Sequence, residues 1–208
     1  MDLEGLVAEA RERRPQPMPQ RERVYAGISA AAFLGLSALL GAVLPDGQPL
    51  ELLNVAVPVL LYALACRCQF EIVSGFALPN QLAFIPMLFL APLPLVPLMV
   101  ALGYLLARLP DFVLKRSHAD RWMHCFGHAW FAVGPVAVIG LLAPGEPRLS
   151  AAAVYVAALA AQCAIGVAEV TIGDKILYGT APIDTLRAGV WSFSIDVLLT
   201  PVAYMIAA

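Results

Sequence analysis

Ionisable and amide side chains set within long apolar runs are the residues of this sequence with chemistry to offer. Asp196 stands in WSFSIDVLLTPVAYM, with Ser192 one turn before it and Thr200 one turn after, so the three share one helical face. Glu169 follows Gln162 by seven residues, which projects both from roughly one side of a helix. His124 and His128 stand at i and i+4 on another. Glu71 follows Arg67 at i+4, the spacing of a helical ion pair. Asn80 and Gln81 come directly after Pro79, placed to cap a helix start or to hold a ligand. Charged groups at membrane depth are costly and mark ligand, ion or proton sites. The candidate ligand-binding set is therefore His128, Gln162, Glu169, Asp196, Asn80, Gln81 and Glu71. Three readings of it stay open: satisfied packing residues, a pocket for a small molecule or ion, and a proton relay.

Cys66-Arg67-Cys68 and His124-Cys125-x-x-His128 carry thiolate and imidazole ligands of the kind zinc and copper take. Cys-x-Cys is not a typical zinc-knuckle spacing, however, and cysteines in apolar helices usually pack. No metal and no other cofactor is expected. No Ser-x-x-Lys, His-Glu-x-x-His or nucleophile elbow occurs, and the histidines have no partnered nucleophile, so the chain does not read as an enzyme.

The 208 residues are 61% hydrophobic and 13% charged. Soluble domains run at about 45–50% apolar and about 25% charged, so the composition is that of a polytopic membrane protein. The four cysteines fall in or beside apolar runs, which argues against a disulfide framework. The short arginine cluster near the start is interleaved with glutamates and gives nucleic-acid binding no support. Arginine far outnumbers lysine, a usage that points to a GC-rich bacterial genome.

The stretch Phe70 to Leu109 must organise the rest. It is almost wholly apolar, yet broken by Pro79, Pro86, Pro92, Pro94 and Pro97, each of which removes a backbone donor and crowds the preceding turn. Two short spans, Leu82 to Ala91 and Leu93 to Leu109, joined by a tight turn at Ala91-Pro92-Leu93-Pro94, fit this pattern. The Ser74-Gly75 pair and Pro79 let the chain break at depth, which requires protein or a watery cavity around the freed groups. Around this element the sequence predicts an all-α, polytopic transmembrane helical bundle of about seven spans. The other spans are Val24 to Leu44, Leu50 to Cys66, Met123 to Ala143, Ala151 to Thr171 and Gly189 to Ala207. A tight turn over Pro45 to Pro49 joins the first two, and GDKILYGTAPIDTLRA should lie along the membrane interface between the last two. Residues 1–23 form a cytoplasmic polar leader, either a short amphipathic helix near the headgroups or a disordered tail, hinged by Pro15, Pro17 and Pro19 from the transmembrane domain at 24–208. With the N-terminus in the cytoplasm, seven crossings put all the lysines and arginines inside except Arg148.

The strings FEIVSGFALPNQLAFIPMLFLAP, PLMVALGYLLARLPD and GHAWFAVGP, with a terminal DVLLTPV, closely resemble the N-terminal multi-pass membrane input region of bacterial cyclic-di-GMP signalling proteins. The match runs from about Phe70 to Val202. In those proteins the region precedes a GGDEF or HD-GYP output domain, and no such motif occurs here. The resemblance covers His128, Gln162 and Asp196; the acidic residue expected soon after Gln162 is replaced by Ile165 and Gly166, with Glu169 further on. It implies a membrane sensor in the bacterial inner membrane, cut short of its output domain. The lipid bilayer, a small-molecule ligand, and either a second copy or a separate cytoplasmic output protein are the partners to expect. A small-molecule transporter or substrate-capture subunit is the alternative.

Overall fold

The computed structural model describes residues 16–45, 49–68, 70–72, 75–142 and 148–207, with the side chains of 70–72, 75–77, 149, 188–193 and 207 outside the description. The leader before residue 16 and the centre of the Pro45–Pro49 turn lie outside the described residues, as does Ser74. The helices are α1 (Gln20–Val43), α2 (Leu52–Ala65), α3 (Gln81–Leu90), α4 (Val96–Val113), α5 (His124–Gly127), α6 (Val133–Leu142), α7 (Ala152–Tyr178) and α8 (Pro182–Ala207). Among the described residues, four segments are long and apolar enough to cross a membrane: Gln20–Val43, Leu93–Val113, Ala119–Leu142 and Ala152–Tyr178. Leu52–Ala65, Gln81–Leu90 and Ser194–Ile206 are shorter apolar helices.

Contacts between helix ends sort the chain into two ends of one bundle. Arg23 pairs with Asp120 at 3.2 Å, Arg67 with Asp111 at 3.1 Å, and Tyr25 sits against Gly173. These contacts define a charged end. At the other, Leu44 packs on Gly140 and Phe89 lies edge-on to Tyr155 and Tyr204. The segments alternate between the two ends. Outward faces are apolar: Leu52, Leu53, Leu64, Val156 and Leu198 are exposed, and only 11% of the apolar window of α7 is buried. The interior is filled from within by α3, whose Phe84, Met87, Leu88 and Phe89 are all buried. Phe84 meets the edge of Phe131 with ring centroids 5.1 Å apart.

The structure corrects the Arg67–Glu71 pair and refines three other parts of the sequence reading. The broken element opens with a short antiparallel strand pair, β1 (Phe70–Ile72) with β2 (Gly75–Ala77). Because α2 ends at Ala65, Glu71 stands on β1 and cannot form a helical ion pair with Arg67; the Arg67 guanidinium instead pairs with Asp111 and donates to the Ala107 carbonyl. The predicted span from Met123 to Ala143 falls in the membrane-length segment Ala119–Leu142, but its helix is interrupted by 3-10 turns at Ala119–Met123 and Trp130–Ala132. Pro135 lacks the N–H that would bond the Phe131 carbonyl, and its ring crowds that carbonyl, which accounts for the tighter turn before it. Finally, GDKILYGTAPIDTLRA is mostly helical: α7 runs on to Tyr178 and α8 begins at Pro182. Gly179, at φ +72°, closes α7 with its N–H on the Lys175 carbonyl while Thr180 N–H reaches Asp174, a left-handed turn that glycine adopts without strain.

Candidate functional site

A cavity of ≈ 440 Å³ lies between the start of α3, α4, the broken α5–α6 segment, α7 and α8, in the half of the bundle nearer the charged end. The helical period of α7 builds one wall. Gln162, Gly166, Glu169 and Val170 recur at three- and four-residue steps and face the cavity together. The small Gly166 leaves room between the two polar side chains. Opposite, α8 contributes Thr185, Ile195 and Asp196. His128 enters at the break after α5, beside Trp130 and Phe131, and Asn80 and Tyr104 close the side. The volume falls in the lower part of the range, about 300–1,000 Å³, that small-molecule sites occupy.

Five of the seven sequence candidates, Asn80, His128, Gln162, Glu169 and Asp196, therefore line one cavity. Gln81 stands next to it, 1% exposed and beside Asp196, with its Oε1 buried and without a partner among the described residues. The side chain of Glu71 lies outside the described residues, as does that of Ser192. Asn80 occupies the N-cap of α3 but makes no side-chain cap; the helix start is held by Leu82 N–H on the Pro79 carbonyl and by Ala83 and Phe84 N–H on the Asn80 carbonyl. That leaves the Asn80 amide to donate to the Tyr62 hydroxyl at 3.3 Å, so the capping expectation is corrected. His124 and His128 diverge: His124 bonds Glu22 at 2.9 Å, on the charged end, and only His128 reaches the cavity. Thr200 does not turn its hydroxyl to the Asp196 carboxylate but donates to its backbone carbonyl at 2.7 Å.

Several lining residues had no place in the sequence reading. Tyr104 stacks edge-on against Tyr62, Asp174 accepts from the Thr185 hydroxyl at 3.0 Å, and Trp130 donates to Ser29 at 2.9 Å. Asp174 was legible in principle, because it lies one turn beyond Val170 on the same wall of α7.

The cavity meets the charged end in two places. Asp174, Thr185 and Leu186 form one mouth between α7 and α8. A second cavity of ≈ 290 Å³, lined by Cys66, Arg67, Leu78, Tyr104, Ala107, Arg108 and Asp111, shares Leu78 and Tyr104 with the first. Toward the opposite end lies a ≈ 30 Å³ void among Leu88, Phe89, Ile139, Tyr155 and Tyr204. Gln162 borders both this void and the main cavity, and forms the floor between them. Among the described residues no three His, Cys, Asp or Glu side chains come close enough to hold a metal ion. Compared with protein-family models, with curated proteins and with solved structures, the chain finds no match.

Proposed function

We propose that the chain is a multi-pass membrane input module that takes up a small molecule from its charged, cytoplasmic end. One observation carries the reading: polar residues from separate helices converge on one cavity whose lining reaches Asp174 and Thr185 toward the charged end, while aromatic and aliphatic side chains pack toward the other. Seven crossings with the N-terminus in the cytoplasm fit the alternation of the segments, and the clustering of basic residues at one end favours the same orientation. The resemblance to the input regions of cyclic-di-GMP signalling proteins adds the role of sensor in a bacterial inner membrane, acting on an output domain or a separate partner. A ligand between α7 and α8 would touch Asp196, and α8 packs directly on the buried α3 beside Gln81. Binding can shift that packing only as far as the ligand prefers one arrangement over another.

Cys163 lines the cavity and gives the test. With Cys66, Cys68 and Cys125 replaced by alanine or serine, Cys163 should react with a charged, membrane-impermeant methanethiosulfonate added to the cytoplasmic face, and not with reagent confined to the opposite face. Reaction from both faces in turn would favour a transporter with alternating access. Reaction from the opposite face alone would overturn the orientation.

A further inference from the structure

We propose that the ligand of the main cavity is a small organic cation carrying an ammonium group; this rests on the reading of the cavity as a ligand site. The lining holds the carboxylates of Glu169, Asp174 and Asp196 and no lysine or arginine. Asp174 already accepts from Thr185, and Asp196 lies beside Gln81. The Glu169 carboxylate, by contrast, makes no hydrogen bond or ion pair among the described residues, and only the Glu169 backbone carbonyl is engaged, by Tyr25. Gln162 is 4% exposed and lines the cavity. Its amide presents a carbonyl acceptor beside an NH2 donor, so Gln162 and Glu169 together can offer two acceptors to one donor.

The chemistry of that donor follows from what surrounds it. The acids are spread along the cavity and form no cluster fit to hold a metal ion, so the negative charge suits an extended cation better than a bare one. Tyr104, Trp130 and Phe131 add aromatic walls, and ring faces attract ammonium groups that come over them. The ammonium hydrogens would donate to the Glu169 carboxylate and the Gln162 carbonyl oxygen, with the hydrocarbon part of the ligand against Val167, Val170 and Ile195. Arg67 and Arg108 at the mouth of the second cavity repel a cation. The route in is therefore the Asp174 mouth between α7 and α8.

A free amine and the ammonium of a lipid headgroup share this chemistry, and a matched probe series separates them. The full chain in an uncharged maltoside micelle is melted with 2-phenylethylamine, 2-phenylethanol, 3-phenylpropionate or dihexanoyl phosphatidylethanolamine, which present a free ammonium, a hydroxyl, a carboxylate and a headgroup ammonium. The expected result is stabilisation by the amine well beyond that by the alcohol and none by the acid, with amine binding weakened about 10–100-fold in Glu169→Gln and in Asp196→Asn. Alcohol binding unchanged in the same variants shows that they are folded. Stabilisation by the short-chain lipid and not by the amine also supports an ammonium ligand and assigns it to a headgroup. Preference for the alcohol or the acid overturns the cation while leaving the cavity a ligand site. No binding by any of the four overturns both.

Discussion

Gly134 is the position at which a single methyl group tests the packing that forms the cavity. A Cβ built there would lie 2.8 Å from both the carbonyl carbon and the oxygen of Ala161 and 3.1 Å from its Cβ. Carbon contacts settle at about 3.5–4.0 Å, so Gly134→Ala must push α6 and α7 apart locally by about 0.7 Å or more. The obstacle is backbone, which cannot swing aside as a side chain would. Overpacking of this kind costs about 1–3 kcal/mol. The gain in helix propensity is at most about 1 kcal/mol, and less at Gly134, which stands in the first turn of α6. Gly35 on α1 is the control, since a Cβ there meets nothing within 4 Å, and Gly35→Ala should gain about 0.5–1 kcal/mol. At about 2–4 °C per kcal/mol for a chain of this size, Gly134→Ala should melt several degrees below wild type and Gly35→Ala slightly above it, both read in the same detergent. Because Ala161 precedes Gln162, the Gly134 variant should also move the cavity floor and speed alkylation of Cys163. A Gly134→Ala protein that melts with or above the Gly35→Ala protein would refute the close approach of α6 and α7.

Other outcomes follow from the charged end. Asp120 accepts from the Met18 N–H at 2.9 Å and pairs with Arg23 and His118; Asp120→Asn should release this strap and raise amide hydrogen exchange at Met18 several-fold, and unchanged exchange would show that the buried Met18 side chain holds the segment alone. The Arg67–Asp111 pair, with side chains 47% and 20% exposed, should show a coupling of about 0–1 kcal/mol in a double-mutant cycle, shrinking with salt. Arg67→Ala should cost more than Asp111→Asn, because it also strips a donor from the Ala107 carbonyl.

The site was more legible in the sequence than the local structure around it. Gln162 and Glu169 could be paired because α7 is long and regular, so a seven-residue step maps to one face without knowledge of the neighbours. Asp196 and His128 stood out as ionisable groups among apolar ones. What periodicity could not supply was the partner of each group: His124 turns to Glu22 across nearly the whole first half of the chain, and Asn80 to Tyr62. The β-hairpin carried a signal in Ser74-Gly75 between β-forming residues, but in so apolar a stretch that signal competes with a reading as membrane helix. Arg67 and Glu71 illustrate the same limit, since i+4 spacing means a pair only where the helix continues, and α2 ends before both.

The short α3 explains why a cavity exists where it does. Ten residues rise about 15 Å, half of a hydrocarbon core about 30 Å thick. Its neighbours run longer, so the depth left below α3 amounts to a missing cylinder about 10 Å across and about 15 Å tall, on the order of 1,200 Å³. The main cavity of ≈ 440 Å³ borders this space, with Leu78 and Asn80 in its lining. The same shortness places the N-terminus of α3 at the cavity edge, where the positive end of its dipole favours a carboxylate. Asp196 stands there, beside Gln81. Backbone ends exposed at such depth are tolerable only because the Pro79-Asn80 turn satisfies the first N–H groups from within. Lengthening α3 by a turn would thus abolish the site by occupying it, whereas loss of the turn would leave unpaired donors facing the same space.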